Sequence, residues 1–532
     1  MTAAPRPNQG VGRGRRSWLP TFASVVLLTA IGLLVRAYAV LSTDFPANDG
    51  GLFYRMVLDL ERTWPALPEV ATYNGLNAPF AYPPLAFYLG SALHGLLGID
   101  AMRLVPLAAA ACTVPAFYLL ARSVLGPGLH AAAATGAFAI MPRTFEWMTM
   151  GGGLTRAPGL LFALLALWLA LRTLRDGGWW SAIGAGVVGG LVVLTHPQAA
   201  LFTALSGLLL AAWMLRERAA AVRIAVAVAI AVVIALPWLL TLVARGDVDA
   251  LFSAAGAQPG VVVGLLSLLS FEITGSRLFD VVGLFAAIGV VLSIVRGRWL
   301  LPLWLVALMV LDARGGATYA AVPASLLAGT AFVDLLVRPF WEASTDLPSA
   351  AMRLPRLPLG RALMAILLVA VAIVDGFGSQ IAPSWRAVAL SPDQRAAMLE
   401  AGDLAPDADY LVVSGQFWAW DATAEWFPVL SGARSVATVQ GHEWLGRSEF
   451  ARRLEASEAL RACASAGDEC LAEWSETWRI GYTHVFIPKG SLQGAYGDQD
   501  CCTGLRLLLR ASDEYVVIHD GDGATIFERL DG

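Results

Sequence analysis

The sequence predicts a polytopic α-helical membrane protein of about eleven spans that ends in a water-facing α/β domain. Three observations predict it. The 532 residues are 57% hydrophobic and 15% charged, with a mean hydropathy of +0.63, too apolar for a chain dissolved in water. Apolar runs of spanning length can be threaded so that alternate connections collect the arginines. After Gln380 the composition changes: most of the acidic residues, four of the five cysteines and several short strand-like runs fall in the last stretch. The net charge is only −4, so composition gives nucleic-acid binding no support.

Arg13, Arg15 and Arg16 precede a run from Trp18 to Leu41 that is longer than a signal-peptide core and lacks a small-residue cleavage pattern, which reads as an uncleaved first span. The spans then run over 18–41, 102–122, 129–146, 155–172, 179–196, 198–215, 222–243, 278–295, 299–312, 317–337 and 362–380. With a cytoplasmic N-terminus, the cytoplasmic connections carry Arg122, then Arg172 and Arg175, then Arg216, Arg218 and Arg223, then Arg296 and Arg298, then Arg338, Arg353, Arg356 and Arg361. This is the positive-inside pattern, and 18 tryptophans suit interfacial belts. The expected organisation is a basic cytoplasmic segment (1–17), a transmembrane domain (18–380) and an extracytoplasmic domain (381–532), in a multi-pass protein of the plasma (inner) membrane.

The outer loop 42–101 carries the chemistry. Asp44, Asn48 and Asp49 open it, followed by an amphipathic segment, Gly50–Arg62, with Leu52, Phe53, Met56, Val57 and Leu60 on one stripe. The Tyr82-Pro83-Pro84-Leu85 corner leads into an apolar segment, Pro83–Gly98. Counting that segment as a span would turn the Arg-rich loops outward, so it reads as a helix lying on the outer interface. Asp49 suits either a helix cap at Gly50 or a general base. Cations at the same face are Arg143, Arg156, His196, Arg277 and Arg314. Arg156 follows Gly151-Gly152-Gly153, whose amides can approach an anion. Glu146 and Glu272 are further outer-face carboxylates.

In the C-terminal stretch, strands are expected at Tyr410–Ser414, Ser435–Val439, His484–Pro488, Tyr515–His519 and Thr525–Glu528, the last two joined by Asp520-Gly521-Asp522-Gly523. Helical patterns at 391–402, 421–430, 448–463, 470–479 and 503–510 complete a small α/β domain. Its cysteines, Cys463, Cys470, Cys501 and Cys502, suit disulfides on the outer side, with Cys463–Cys470 the first pairing expected. Cys112, inside a span, reads as a small packing residue. Phe417, Trp418, Trp420, Trp426 and Phe427 look exposed, and serve either an acceptor surface or the domain core.

Several motifs carry a resemblance. Asn48-Asp49-Gly50-Gly51-Leu52-Phe53-Tyr54, Tyr82-Pro83-Pro84-Leu85, Met102-Arg103-Leu104-Val105-Pro106 with Leu120–Gly126, and Leu194-Thr195-His196-Pro197 resemble, in this order, the GT-C superfamily of integral-membrane glycosyltransferases. The branch is that of protein O-mannosyltransferases, aminoarabinose transferases and oligosaccharyltransferases. The resemblance implies an enzyme that moves a sugar, with inversion, from a polyprenyl-phosphate carrier to a sugar, lipid or protein acceptor at the outer face. It places Asp49 as catalytic base, with Tyr54, Tyr82, Glu146, Arg156, His196, Glu272 and Arg314 as substrate-binding candidates. The paired acids and the Trp-Trp-Asp-Tyr-Gly signature of the metal-dependent group are missing, so no cofactor is firmly implied. A divalent cation (Mg or Mn) held by Asp49, Glu146 and Glu272 stays open. The other class is a non-catalytic carrier, flippase or assembly partner for lipid-linked saccharides, which would gather its ionisable groups near the bilayer midplane.

Overall fold

The computed structural model describes residues 19–256, 274–275, 280–312, 315–338, 356–381, 389–492 and 499–530. In chain order these form α1 (Leu19–Leu41), α2 (Gly51–Thr63), strands β1 (Val70–Ala71) and β2 (Ala78–Pro79), α3 (Leu85–Leu97), α4 (Ala101–Leu125), α5 (Leu129–Ile140), the short α6 (Glu146–Thr149), α7 (Gly153–Asp176), α8 (Trp179–Val193), α9 (Pro197–Met214), α10 (Arg218–Arg245) and α11 (Val248–Gly256). Then come α12 (Val281–Val295), α13 (Leu300–Leu311), α14 (Gly316–Phe332) and α15 (Arg356–Ile381).

Five segments are long and apolar enough to cross a membrane: Leu85–Leu125, Gly153–Asp176, Pro197–Met214, Arg218–Arg245 and Gly316–Val337. The other expected spans fall on shorter apolar helices, Ala23–Tyr38, Leu129–Ile140, Trp179–Val193, Val281–Val295, Leu300–Leu311 and Leu363–Gly376. The chain is thus a multi-span membrane protein. The third expected span stops early, at Ile140, because Pro142 has no amide to continue the helix and opens a 3₁₀ turn over Pro142–Thr144. Small residues bring the helices together: a Cβ on Gly186 would meet the Ala227 carbonyl at 2.6 Å, and one on Gly190 would meet Ile234 at 2.7 Å. Cys112 is exposed on α4, contrary to the packing role expected of it.

One cation is buried in the bundle. Arg36 on α1 is fully buried and donates to the carbonyls of Gly32 (3.0 Å) and Ala139 (2.7 Å) and to Thr144 Oγ1 (3.2 Å). Its guanidinium also lies 5.0 Å from the Phe145 ring centroid, so it ties the C-terminal part of α1 to the turn that breaks α5.

The α2 helix forms where its stripe predicts: Leu52, Met56, Val57 and Leu60 are buried. Asp59 is also buried, although the pattern puts it off the stripe, because its carboxylate accepts from the Thr72 amide and hydroxyl, both at 2.7 Å. That pins β1 to α2.

The last unit contains α16 (Pro392–Leu404), β3 (Asp409–Val412), α17 (Ala422–Ser431), β4 (Arg434–Ser435), α18 (Arg447–Cys463), α19 (Asp468–Trp478), β5 (His484–Pro488), β6 (Ser491–Leu492), β7 (Gln499–Asp500), α20 (Thr503–Ala511), β8 (Tyr515–Asp520) and β9 (Ala524–Arg529). Its main sheet has the order β4-β3-β5-β9-β8, parallel around β3 and antiparallel beyond β5. Ser391 and Gln394 close a reciprocal capping box at the start of α16. The expected strand at Ser435–Val439 shrinks to two paired residues, since Thr438 turns away to donate to the Ala424 carbonyl at 2.9 Å.

Disulfides join Cys463 to Cys470 and Cys501 to Cys502. The first closes a loop of sequence separation 7 between α18 and α19, so Cys463→Ser is expected to cost this unit about 2–3 kcal/mol through the freer unfolded chain, read as a lower melting temperature. Trp426 and Phe427 are fully buried in its core, where Phe45 of the loop after α1 joins them with its ring centroid 4.7 Å from that of Trp426. Of the two readings of these aromatics, the domain core is the one that holds for Trp426 and Phe427, and that core is shared with the loop.

Candidate active site

The site is built where two glycine-bearing turns touch. Asn48 has positive φ (55°) and Gly50 has φ 134°, which turns the chain sharply on both sides of Asp49. The Gly151 amide donates to the Ala47 carbonyl at 3.0 Å, and a Cβ on Gly151 would stand 1.9 Å from the Asp49 carbonyl oxygen. Only a glycine lets the backbones approach so closely.

This contact aims the Asp49 side chain at the start of α7. Its Oδ1 accepts the Gly152 amide at 3.0 Å, and its Oδ2 forms a short charge-assisted hydrogen bond with Arg156 Nη2. Arg156 Nη1 donates to the Trp147 carbonyl at 3.3 Å, and the guanidinium lies 5.3 Å from the Trp147 ring centroid. The side chains of Asp49 and Arg156 keep 18% and 23% of their surface exposed, enough for a substrate to reach the pair. The glycine-rich turn does hold an anion, as its sequence suggests, and that anion is Asp49. Asp49 does not cap α2, because both carboxylate oxygens face the α7 turn.

Other candidates gather around the pair at different depths. Tyr82 Oη is hydrogen-bonded to Thr155 Oγ1 at 3.2 Å, beside Arg156, and its ring meets those of Phe53 (5.1 Å), Trp444 (5.6 Å) and His196 (6.3 Å). His196 Nδ1 accepts the Ala199 amide at 3.2 Å, which caps α9. Glu146 is buried and opens α6, the turn whose Trp147 carbonyl takes the Arg156 hydrogen bond. The Tyr54 side chain points away from the pair: its hydroxyl bonds His94 Nε2 at 3.0 Å and its ring centroid lies 6.0 Å from that of Trp426, while its amide donates to the Gly50 carbonyl at 2.7 Å. Glu272, Arg277 and Arg314 lie outside the described residues. Among the described residues no group of three or more His, Cys, Asp or Glu is placed to hold a metal ion. Asp49 faces a guanidinium, and Glu272, the third carboxylate considered for a divalent cation, lies outside the described residues.

Sequence reasoning missed Glu425. This buried side chain of α17 accepts the Gly50 amide at 2.8 Å, next to Asp49. Burial, and after it the Asp49 charge, pushes its carboxyl up to about 8. Nothing in local spacing signals a partner 375 positions away. Gly51 marks the same junction, since a Cβ there would lie 2.5 Å from the Glu425 carbonyl oxygen. Gly51→Ala sets backbone against backbone and is expected to destabilise the junction by about 1–3 kcal/mol, seen as a lower melting temperature and faster proteolytic release of the C-terminal unit.

A bundle of apolar helices, the helices α2 and α3 beside it, a carboxylate just past the first helix and an α/β unit packed against it make up the architecture; α3 belongs to the span-length segment Leu85–Leu125, where a helix on the interface was expected. Residues 81–240 match the family described as dolichyl-phosphate-mannose-protein mannosyltransferase. The fold is similar to that of the archaeal oligosaccharyltransferase AglB from Archaeoglobus fulgidus, solved with an inhibitory peptide and a dolichol-phosphate (14% identity, TM-score 0.59, 89% of this chain and 70% of that one). It is similar also to ArnT from Cupriavidus metallidurans bound to undecaprenyl phosphate (14% identity, TM-score 0.53, 96% and 98%). The mycobacterial arabinofuranosyltransferase AftD gives a TM-score of 0.55 at 14% identity over 96% of this chain and 40% of that one. None of the curated proteins is similar enough in sequence to match. The chain thus shares the fold of these integral-membrane glycosyltransferases, and its residues 81–240 carry the match to the mannosyltransferase family.

Proposed function

We propose that this enzyme transfers a sugar from a polyprenyl-phosphate carrier to an acceptor at the outer face of the plasma membrane, with inversion, and that Asp49 is its general base. The proposed topology has about eleven spans, a cytoplasmic N-terminus and an extracytoplasmic C-terminal domain. The observation that carries the reading is the partly exposed Asp49–Arg156 pair at the junction of the first outer loop, the α7 turn and the C-terminal unit. In the reaction an acceptor O–H gives its proton to Asp49 while its oxygen bonds the anomeric carbon. The bond from that carbon to the phosphate oxygen breaks, and polyprenyl phosphate leaves with the electron pair. Arg156 is the cation for that phosphate.

The two roles are linked. Both Asp49 oxygens are engaged, one by the Gly152 amide and one by Arg156. A lipid phosphate that draws Arg156 toward itself releases Oδ2 to take the acceptor proton, so donor binding frees the base. Tyr82, His196 and Glu146 serve the sugar or acceptor beside this pair, with Tyr54 at its edge. Glu272 and Arg314 keep the substrate roles that the family resemblance implies. A carrier needs ionisable groups near the midplane, whereas this pair stands at the N-terminal end of α7, a helix of spanning length.

The test supplies membranes containing the protein with a panel of radiolabelled polyprenyl-phosphate sugars and native extract as acceptor. Transfer of one label with release of polyprenyl phosphate is expected, the product having inverted anomeric configuration by NMR. Donor that binds but is never consumed would overturn the reading.

A further inference from the structure

Glu425 stands in the first turn of α17, yet its carboxyl group serves another helix. It accepts the Gly50 amide at 2.8 Å and also the Leu52 amide. These belong to the amides that the start of α2 leaves without an intrahelical acceptor. Gly50 has no side chain to cap them, and the Asp49 carboxylate is turned to α7. The next residue, Trp426, donates its Nε1–H to the Asn48 carbonyl at 3.0 Å. Two consecutive residues of the C-terminal unit therefore grip the chain on either side of Asp49. Tyr73 Oη donates to the Glu425 carbonyl at 2.7 Å and holds α17 in register with the outer loop.

We propose that Glu425 is the positioning residue for Asp49: through it the C-terminal domain caps α2 and aims the base, so the active site is complete only while that domain is docked, and ionisation of Glu425 loosens it. This rests on the reading of Asp49 as base. The capping contact itself does not, because it is a property of the fold.

The charged and titratable groups that bear on Glu425 are Asp49 from the outer loop, Arg156 from α7, Tyr73 after β1 and Glu443 before α18. The α16 helix brings apolar Met398 and Ala401 to the shared core, and β3 brings Tyr410, whose hydroxyl donates to the Ala401 carbonyl. Burial opposes a charge on Glu425 most, and Asp49 and Glu443 add to it; together they outweigh the Gly50 and Leu52 amides, which favour the charge. With its carboxyl raised from 4.5 to about 8, the folded protein binds this proton more tightly than the unfolded chain. The contribution to docking is complete below about 4.5 and is lost as pH rises through about 8.

The experiment uses the full chain in nanodiscs and compares wild type with Glu425→Ala and Glu425→Gln by hydrogen exchange of the segment 48–54 and by the pH profile of transfer. Glu425→Ala is expected to raise exchange in that segment about tenfold, the effect of losing roughly one buried hydrogen bond, and to lower kcat more than it changes the donor KM. Glu425→Gln keeps an oxygen for the Gly50 amide and no proton to lose. It is expected to restore protection and most of kcat at pH 7, and to remove the fall in activity near pH 8. Wild-type exchange in Glu425→Ala, or an alkaline fall that persists unchanged in Glu425→Gln, would overturn the proposal. If Glu425→Ala does not fold, the Glu425→Gln profile decides alone. Normal transfer by Asp49→Asn would remove the base reading instead, and the exchange measurement would still show whether Glu425 caps α2.

Discussion

Asp49→Asn is expected to lower sugar transfer by about 10²–10⁴-fold, the usual contribution of a positioned general base. The substitution suits the test because the amide is nearly isosteric. Its oxygen can still accept the Gly152 amide, which now sits 3.0 Å from Oδ1, so the glycine contact between the loop after α1 and the α7 turn should hold. What changes is the other oxygen. An NH₂ there would face Arg156 Nη2, donor against donor, and Arg156 would swing free of its counter-charge. Donor binding should therefore be kept or tightened while turnover collapses, and equilibrium binding of a polyprenyl-phosphate sugar separates the two effects. A variant that binds donor as wild type does and still transfers at the wild-type rate would take Asp49 out of the mechanism.

The helices of the bundle were readable because a membrane span is a statement about composition over twenty residues, and composition is local. The same holds for α2, whose stripe of Leu52, Met56, Val57 and Leu60 repeats at helical spacing, and for the β8–β9 hairpin around Asp520–Gly523. The Cys463–Cys470 bridge was readable for a related reason, since seven residues leave few other geometries. The site was readable only in part. Asp49 and Arg156 both stand out, one as an acid past the first span and one after three glycines, but their pairing across 107 positions depends on how the turns pack. Trp426 looks like a surface aromatic in the sequence and proves to be core, because the surface it covers is supplied by Phe45 and Asn48 of a distant loop. Glu425 had no local signal at all: a glutamate in the first turn of a helix ordinarily answers that helix's own dipole, and here its carboxyl answers the amides of another.

Arg156→Ala is expected to cost about 10²–10³-fold in kcat/KM, the scale of removing one charge-stabilising donor from a developing anion. The loss should appear in donor affinity as well as turnover, since the same guanidinium meets the phosphate in the bound and leaving states. Arg156→Lys should recover only part of it, because an ammonium cannot reach the Trp147 carbonyl and an anion together as the two Nη groups do, nor lie flat over the Trp147 ring. Removing Arg156 also leaves the Asp49 carboxylate without its ion partner beside a partly buried turn, so some of the damage belongs to the fold. A double-mutant cycle with Asp49→Asn separates the parts. In stability, the double variant should recover much of what Arg156→Ala loses, since the stranded charge is gone. In transfer it should be no better than Asp49→Asn alone, since no base remains for the donor to release. Full donor binding and turnover in Arg156→Ala would show that the phosphate is held elsewhere and that Arg156 serves only to fix Asp49.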